Sequence, residues 1–86
     1  ILFVAFELKP ESEDAKDYIY HASEEIMVVT SGVVDICMGE KVVRLNPGDS
    51  TFIKANVPHK IINPSKDTIA RGYGVISPPI WPIKSK

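Results

Sequence analysis

An all-β fold, a small antiparallel barrel or sandwich, is what this sequence predicts, and three features predict it. Val, Ile, Thr, Tyr and Phe dominate the apolar runs, turn residues interrupt the chain every eight to twelve positions, and no segment sustains a helical period. With 86 residues the chain has room for one core only.

The strands are read in order. Residues 1–8 read as a first strand and end in the polar stretch Lys9-Pro10-Glu11-Ser12-Glu13-Asp14, which reads as a loop. Strands follow at 17–21 and 25–30, and Gly32 permits a reversal into 34–38. Gly39-Glu40 is a hairpin turn into 41–45, where polar and apolar residues alternate as on a half-buried strand. Pro47-Gly48 carries type II turn chemistry, Pro setting φ at the second position and Gly supplying positive φ at the third. Strands at 49–53, 57–62 and 68–76 complete a set of eight, with Asn63-Pro64-Ser65-Lys66-Asp67 as the last turn. The barrel is expected over residues 1–79 and a C-terminal arm over 80–86. That arm holds Ile80, Trp81 and Ile83, too much apolar area for water, and is expected to lie on its own barrel.

Composition narrows the function. Ten Lys and Arg against eleven Asp and Glu give a net charge of −1 without a basic stripe, so no direct nucleic-acid contact is expected. The longest apolar run falls far short of the ~20 residues of a membrane helix and lacks signal-peptide features, so no membrane contact is expected. Cys37 is the only cysteine. No internal disulfide can form, and a lone cysteine suits a reducing, cytoplasmic setting. A barrel this short buries little surface, so a metal or a homodimer is expected to supplement it. Cys37 and Val33 are opposite in parity to Val34, Ile36 and Met38. If those three line the core, Cys37 lies on an outer apolar face suited to sheet-to-sheet dimer contact.

His21, Glu25, His59 and Asn63 form two pairs spaced by four, and even spacing puts extended residues on one face. Two imidazoles and a carboxylate with open positions suit iron(II) and also hold zinc or manganese. The same groups in a metal-free pocket would hydrogen-bond one another or an organic ligand. On the last strand Ala70, Gly72 and Gly74 share one face, and Ile69, Arg71, Tyr73 and Val75 the other. Facing inward, Arg71 would anchor an anionic group and Tyr73 would close over it; facing outward, the small residues would leave the barrel its cavity.

His21-Ala22-Ser23-Glu24-Glu25, with Gly32 after six further residues, resembles the second half of the first cupin motif. Gly48, five residues, then Lys54-Ala55-Asn56-Val57-Pro58-His59 and Asn63 resembles the second motif. The resemblance to the cupin family covers residues 21 to 63 and implies a double-stranded β-helix, or jelly roll, with a metal site at His21, Glu25 and His59. Ile19 stands where the family's first histidine falls and would line the pocket without coordinating. Lys54 and Asn56 replace the second motif's proline and glycine. Asn tolerates left-handed backbone angles, so Asn56 is expected to make the glycine's turn. One divalent metal (Fe, Mn or Zn) or none is therefore expected, with Ile19, Asn63, Arg71 and Tyr73 as ligand-binding residues.

From Glu7 to Pro79 the chain looks most like the effector-binding domain of bacterial helix-turn-helix regulators. That resemblance implies a small-molecule ligand and a DNA-binding domain ahead of Ile1. The alternative it leaves open is a small stand-alone metal-dependent enzyme of dioxygenase or isomerase type, with no catalytic acid or base assigned.

Overall fold

The computed structural model describes residues 1–14, 18–20, 22–78 and 84–85, and of 19, 20, 84 and 85 the backbone alone. Among them are nine strands and no helix: β1 (Leu2–Leu8), β2 (Ile19–Tyr20), β3 (Glu24–Ser31), β4 (Val34–Met38), β5 (Lys41–Leu45), β6 (Ser50–Ile53), β7 (Lys60–Ile62), β8 (Ala70–Ser77) and β9 (Lys84–Ser85). They form an antiparallel four-stranded sheet β1-β8-β3-β6, a three-stranded sheet β5-β4-β7 and a two-stranded ribbon β2-β9.

Alternation explains the core. β3 buries Glu25, Met27 and Val29 and turns Glu24, Ile26 and Thr30 to water. β8 buries Ala70, Gly72, Gly74 and Ile76. Leu8, Met27, Val29, Ile53 and Ala70 from the larger sheet meet Val34, Ile36, Leu45 and Ile61 from the smaller in one cluster. At roughly 25 cal/mol per Å² of apolar area, each fully buried Ile, Val or Leu stabilises the fold by about 1.5–3 kcal/mol, before the chain entropy that opposes it.

The turns behave as their residues require. Gly32, Gly39 and Gly48 have φ of 75°, 64° and 92°. Gly39 is the first of two residues joining β4 to β5, the glycine position of a type II′ hairpin. At Gly32 the chain passes from one sheet to the other so closely that a Cβ would stand 2.6 Å from the Ile69 carbonyl oxygen. Asn56 has φ of 63° and so makes the left-handed turn expected of it.

Three expectations change. The eight strands are joined by a ninth, since residues 84–85 pair with Ile19 and Tyr20, which places that end of the arm on its own barrel; Ile80, Trp81 and Ile83 lie outside the described residues. The polar stretch 9–14 is more than a loop. Its Glu13 bridges to Ile62, Asp14 N–H donates to the Ile61 carbonyl, and Asn63 N–H donates to Ser12, so it covers the free edge of β7.

Cys37 is buried, contrary to the expectation of an exposed apolar face. Its register partners are Val42 and Lys60. The Tyr18 hydroxyl donates to the Gly39 carbonyl at 3.2 Å, and the Lys60 ammonium lies 5.4 Å from the Tyr18 ring centroid, so Tyr18 roofs this side of β4.

Candidate functional site

Glu25 enters the barrel because it shares the inward face of β3 with Met27 and Val29. Room for its carboxylate comes from Gly74, opposite Met27 on β8, where a Cβ would lie 2.9 Å from Glu25 Oε2 and 3.2 Å from Val4. His59 follows the turn at Asn56 and stands just before β7. The two side chains are 8% and 3% exposed, and His59 Nε2 lies 3.7 Å from Glu25 Oε1. That is a separation for charge attraction and exceeds a hydrogen bond.

The imidazole is held from behind. A carbonyl only accepts, so His59 Nδ1, 2.8 Å from the Val57 carbonyl oxygen, carries a proton and donates it there. Nε2 is left to face the carboxylate. Burial is the largest influence on this ring and lowers its pKa, but attraction to Glu25, the bond to Val57 and the charge of Asp14 together outweigh it. The net pKa is raised above the ordinary 6.5.

Asp14 belongs to the electrostatics of the site although its sequence position does not suggest it. Its Oδ1 accepts from Ile61 N–H at 2.8 Å. It keeps access to water, yet the protein packed on its other side raises its pKa. The Ile61 hydrogen bond and the nearby His59 oppose this, and Glu25 adds to it. Ser23 is 1% exposed and donates through Oγ to the Pro78 carbonyl at 2.5 Å, closing the chain near the start of β3.

The other expected site residues fall elsewhere or beyond view. His21 lies outside the described residues, and of Ile19 the structure describes the backbone in β2. Asn63 is fully buried and serves as scaffold: Nδ2 donates to the Leu8 and Thr68 carbonyls at 3.0 and 2.8 Å, and Oδ1 accepts from Ser65 N–H at 3.0 Å. Both hydrogens of its amide are used within the fold. Arg71 and Tyr73 point outward, where Arg71 Nε donates to Glu7 at 2.9 Å and Tyr73 stacks on Phe3 at 5.3 Å. The alternation on β8 therefore resolves with the small residues inward.

Glu25 and His59 suit a divalent cation as donors. An imidazole fixed through Nδ1 with Nε2 turned toward a carboxylate is how metal-ligating histidines are commonly held. Among the described residues, no third His, Cys, Asp or Glu joins them in a group able to hold a metal ion.

Comparison with known proteins agrees with this architecture. No curated protein matches the sequence at a significant level. Among solved structures, TT1209 from Thermus thermophilus is 27% identical with a TM-score of 0.75, covering 86% of this chain and 69% of that one. An uncharacterized conserved protein with a double-stranded β-helix domain from Klebsiella pneumoniae superposes with a TM-score of 0.83 at 20% identity, over 96% of this chain and 71% of the other. The polyketide cyclase RemF from Streptomyces resistomycificus has a TM-score of 0.79 at 21% identity, covering 96% of this chain and 59% of its own. Identities this low establish a common fold and leave activity open. The family model described as Cupin domain (Cupin_2) matches residues 4–75, and with the antiparallel sheets and the inward Glu25 and His59 this establishes that the chain belongs to the cupin family.

Proposed function

We propose that this cupin domain binds a small polar molecule inside the barrel at the Glu25–His59 pair, and that it is the effector-sensing domain of a bacterial, cytoplasmic transcription regulator. The observation that carries the binding site is a carboxylate and an imidazole, each less than a tenth exposed, side by side in a largely apolar interior. A few polar groups converging among apolar side chains are the usual makings of a small-molecule site. Sensing would follow if the ligand binds one arrangement of the barrel more tightly than another and so shifts a linked equilibrium. A sensor needs no catalytic acid or base. Once Glu25 and His59 are spent on binding, neither is left for acid–base chemistry.

The second reading is a small metal-dependent cupin enzyme, supported by the held orientation of His59. Glu25 and His59, with His21, would hold Fe, Mn or Zn, and that metal would supply Lewis-acid or redox chemistry. The protein's own contribution is to fix Nε2 toward the pocket through Val57 and to hold water back with the apolar core.

Elemental analysis of the chelator-washed protein, before and after metal is added, separates the readings. The sensor reading expects an empty site after washing and thermal stabilisation by a small organic acid or sugar that disappears in His59→Ala. Near-stoichiometric metal lost in His59→Ala would favour the enzyme. The regulator assignment falls if the full coding sequence has no helical DNA-reading domain ahead of Ile1.

A further inference from the structure

The outer face of the larger sheet joins two kinds of surface. Register aligns Phe3, Val75, Ile26 and Phe52 into one apolar row across its four strands. Beside that row, toward the far end of β1, a hollow of about 260 Å³ is sunk into the face. Two features of the sequence open it. Ala5 is a small residue set between the larger Phe3 and Glu7 on the outward side of β1, and its register partner is Tyr73. On the far side of β8 the pairing of β3 shifts between Val29 and Ser31, so Thr30 is the extra residue of a bulge and stands at the hollow's edge. A bulge parts the ladder locally and re-aims a side chain, which is why bulges recur beside binding sites.

The lining is chemically mixed. Glu7 and Arg71 are register partners joined at 2.9 Å. Tyr73, the next outward residue along β8, is 41% exposed, and Phe3 stacks on its ring from outside the hollow with centroids 5.3 Å apart. Thr30 Oγ1 donates to the Arg71 carbonyl at 3.2 Å, which fixes the hydroxyl and leaves its lone pairs to accept. Among the described residues the Arg71 side chain bonds to Glu7 alone, through Nε. The tip of the guanidinium can therefore donate, and the second oxygen of Glu7 can accept. Charge then selects the ligand class. An anion, a cation or a zwitterion would have to pull Glu7 and Arg71 apart, whereas a neutral molecule leaves the pair intact. To meet donors and acceptors side by side and also cover an aromatic ring, that molecule needs hydroxyls around its rim and an apolar C–H face. We propose that the hollow binds one neutral pyranose ring of a saccharide, its C–H face against Tyr73 and its hydroxyls among Arg71, Glu7 and Thr30. This site is independent of the Glu25–His59 pocket, because its polar side chains point away from the core.

Saturation-transfer NMR titrations with the methyl pyranosides of glucose, galactose and mannose test it. At least one of the three is expected to bind with a dissociation constant on the order of 1 mM, the range open to a ligand of this size. Arg71→Ala should weaken that binding at least about 10-fold, and Tyr73→Leu should do the same by removing the ring, a second disruption should the first variant fail to fold. Val42→Ser, on the other sheet and 59% exposed, should leave it unchanged. Absence of binding by all three at concentrations on the order of 100 mM overturns the proposal. Tighter binding of methyl glucuronide or of glucosamine than of every neutral glycoside overturns it in favour of a charged ligand. Binding that survives both Arg71→Ala and Tyr73→Leu but is lost in His59→Ala belongs to the barrel interior, and also overturns it.

Discussion

The outer faces of the two sheets are built on opposite terms. Across β5-β4-β7 the face is mostly polar and partly covered, Val42 being left exposed: Arg44 holds Asp35 with two hydrogen bonds of 2.8 and 2.9 Å, Lys60 holds Glu13 at 3.1 Å, and Tyr18 lies over β4. Across β1-β8-β3-β6 it is an open apolar row. Both sheets bury their inner faces in the same core, so core packing cannot account for the difference. What differs is the chain's own cover. Among the described residues, Tyr18 and the edge at residues 12–14 shield the smaller sheet, and Phe3, Ile26 and Phe52 on the larger one stay at least half exposed.

The largest effect should come from the shared core. Ile36→Ala empties a site with no exposure and is expected to cost about 2–5 kcal/mol, read by chemical denaturation. Gly72→Val should be comparably damaging, because even a Cβ there would fall against the Val28 carbonyl oxygen and stand 2.5 Å from the Phe6 ring.

Asn63→Ala comes next. It strips partners from the Leu8 and Thr68 carbonyls and the Ser65 amide, and a loss of about 2–4 kcal/mol is expected without any direct loss of ligand contact. If ligand affinity fell while stability did not, Asn63 would be a pocket residue after all.

A cross-strand pair then sharpens the comparison of faces. Cys37 and Val42 are register partners on the same side of the smaller sheet, yet Cys37 is 8% exposed and Val42 59%. Replacing Cys37 by Ser should cost about 1–3 kcal/mol, while Val42→Ser should stay within about 0.5 kcal/mol. Equal costs would show that Tyr18 is not a roof.

The site should add a pH dependence. The folded state raises the pKa of His59 above 6.5, so it favours the protonated ring. The resulting stability is fully present below pH 6.5 and is lost as pH rises through the raised folded value. The melting temperature of the wild type relative to His59→Gln should therefore decline across that window. A difference that grew with pH would reverse the assignment. The smallest effect is expected at Arg71→Ala, where both partners of the Glu7 pair are more than half exposed and the measured loss should be under about 1 kcal/mol.

Much of this architecture is legible in the residues. Gly39, Gly48 and Asn56 announce left-handed turns, whereas 24–31 announces a strand but, with Ile26, Met27, Val28 and Val29 apolar on both faces, not which side of it is inward. That Glu25 and His59 meet was implied by the resemblance of their two motifs to those of the cupin family, and the structure brings them to 3.7 Å. Spacing could not distinguish a ligand-binding Asn63 from one that ties down a turn, since either role needs a buried amide at that place. Gly74 could have been suspected from the small-residue face of β8, whereas nothing adjacent in sequence connects Asp14 to His59.

Strand identity, turn positions and the parity of each face were determined by the sequence alone, because backbone sterics and two-residue periodicity act over a few neighbours. Which of two permitted faces turned inward on β8, that the outward side of β4 is roofed, and that the outer row of the larger sheet is not, were decided only by the tertiary structure. Those outcomes depend on what lies several strands away: the Phe6 ring and Glu25 carboxylate need the space at Gly72 and Gly74, and Tyr18 crosses to Gly39 and Lys60.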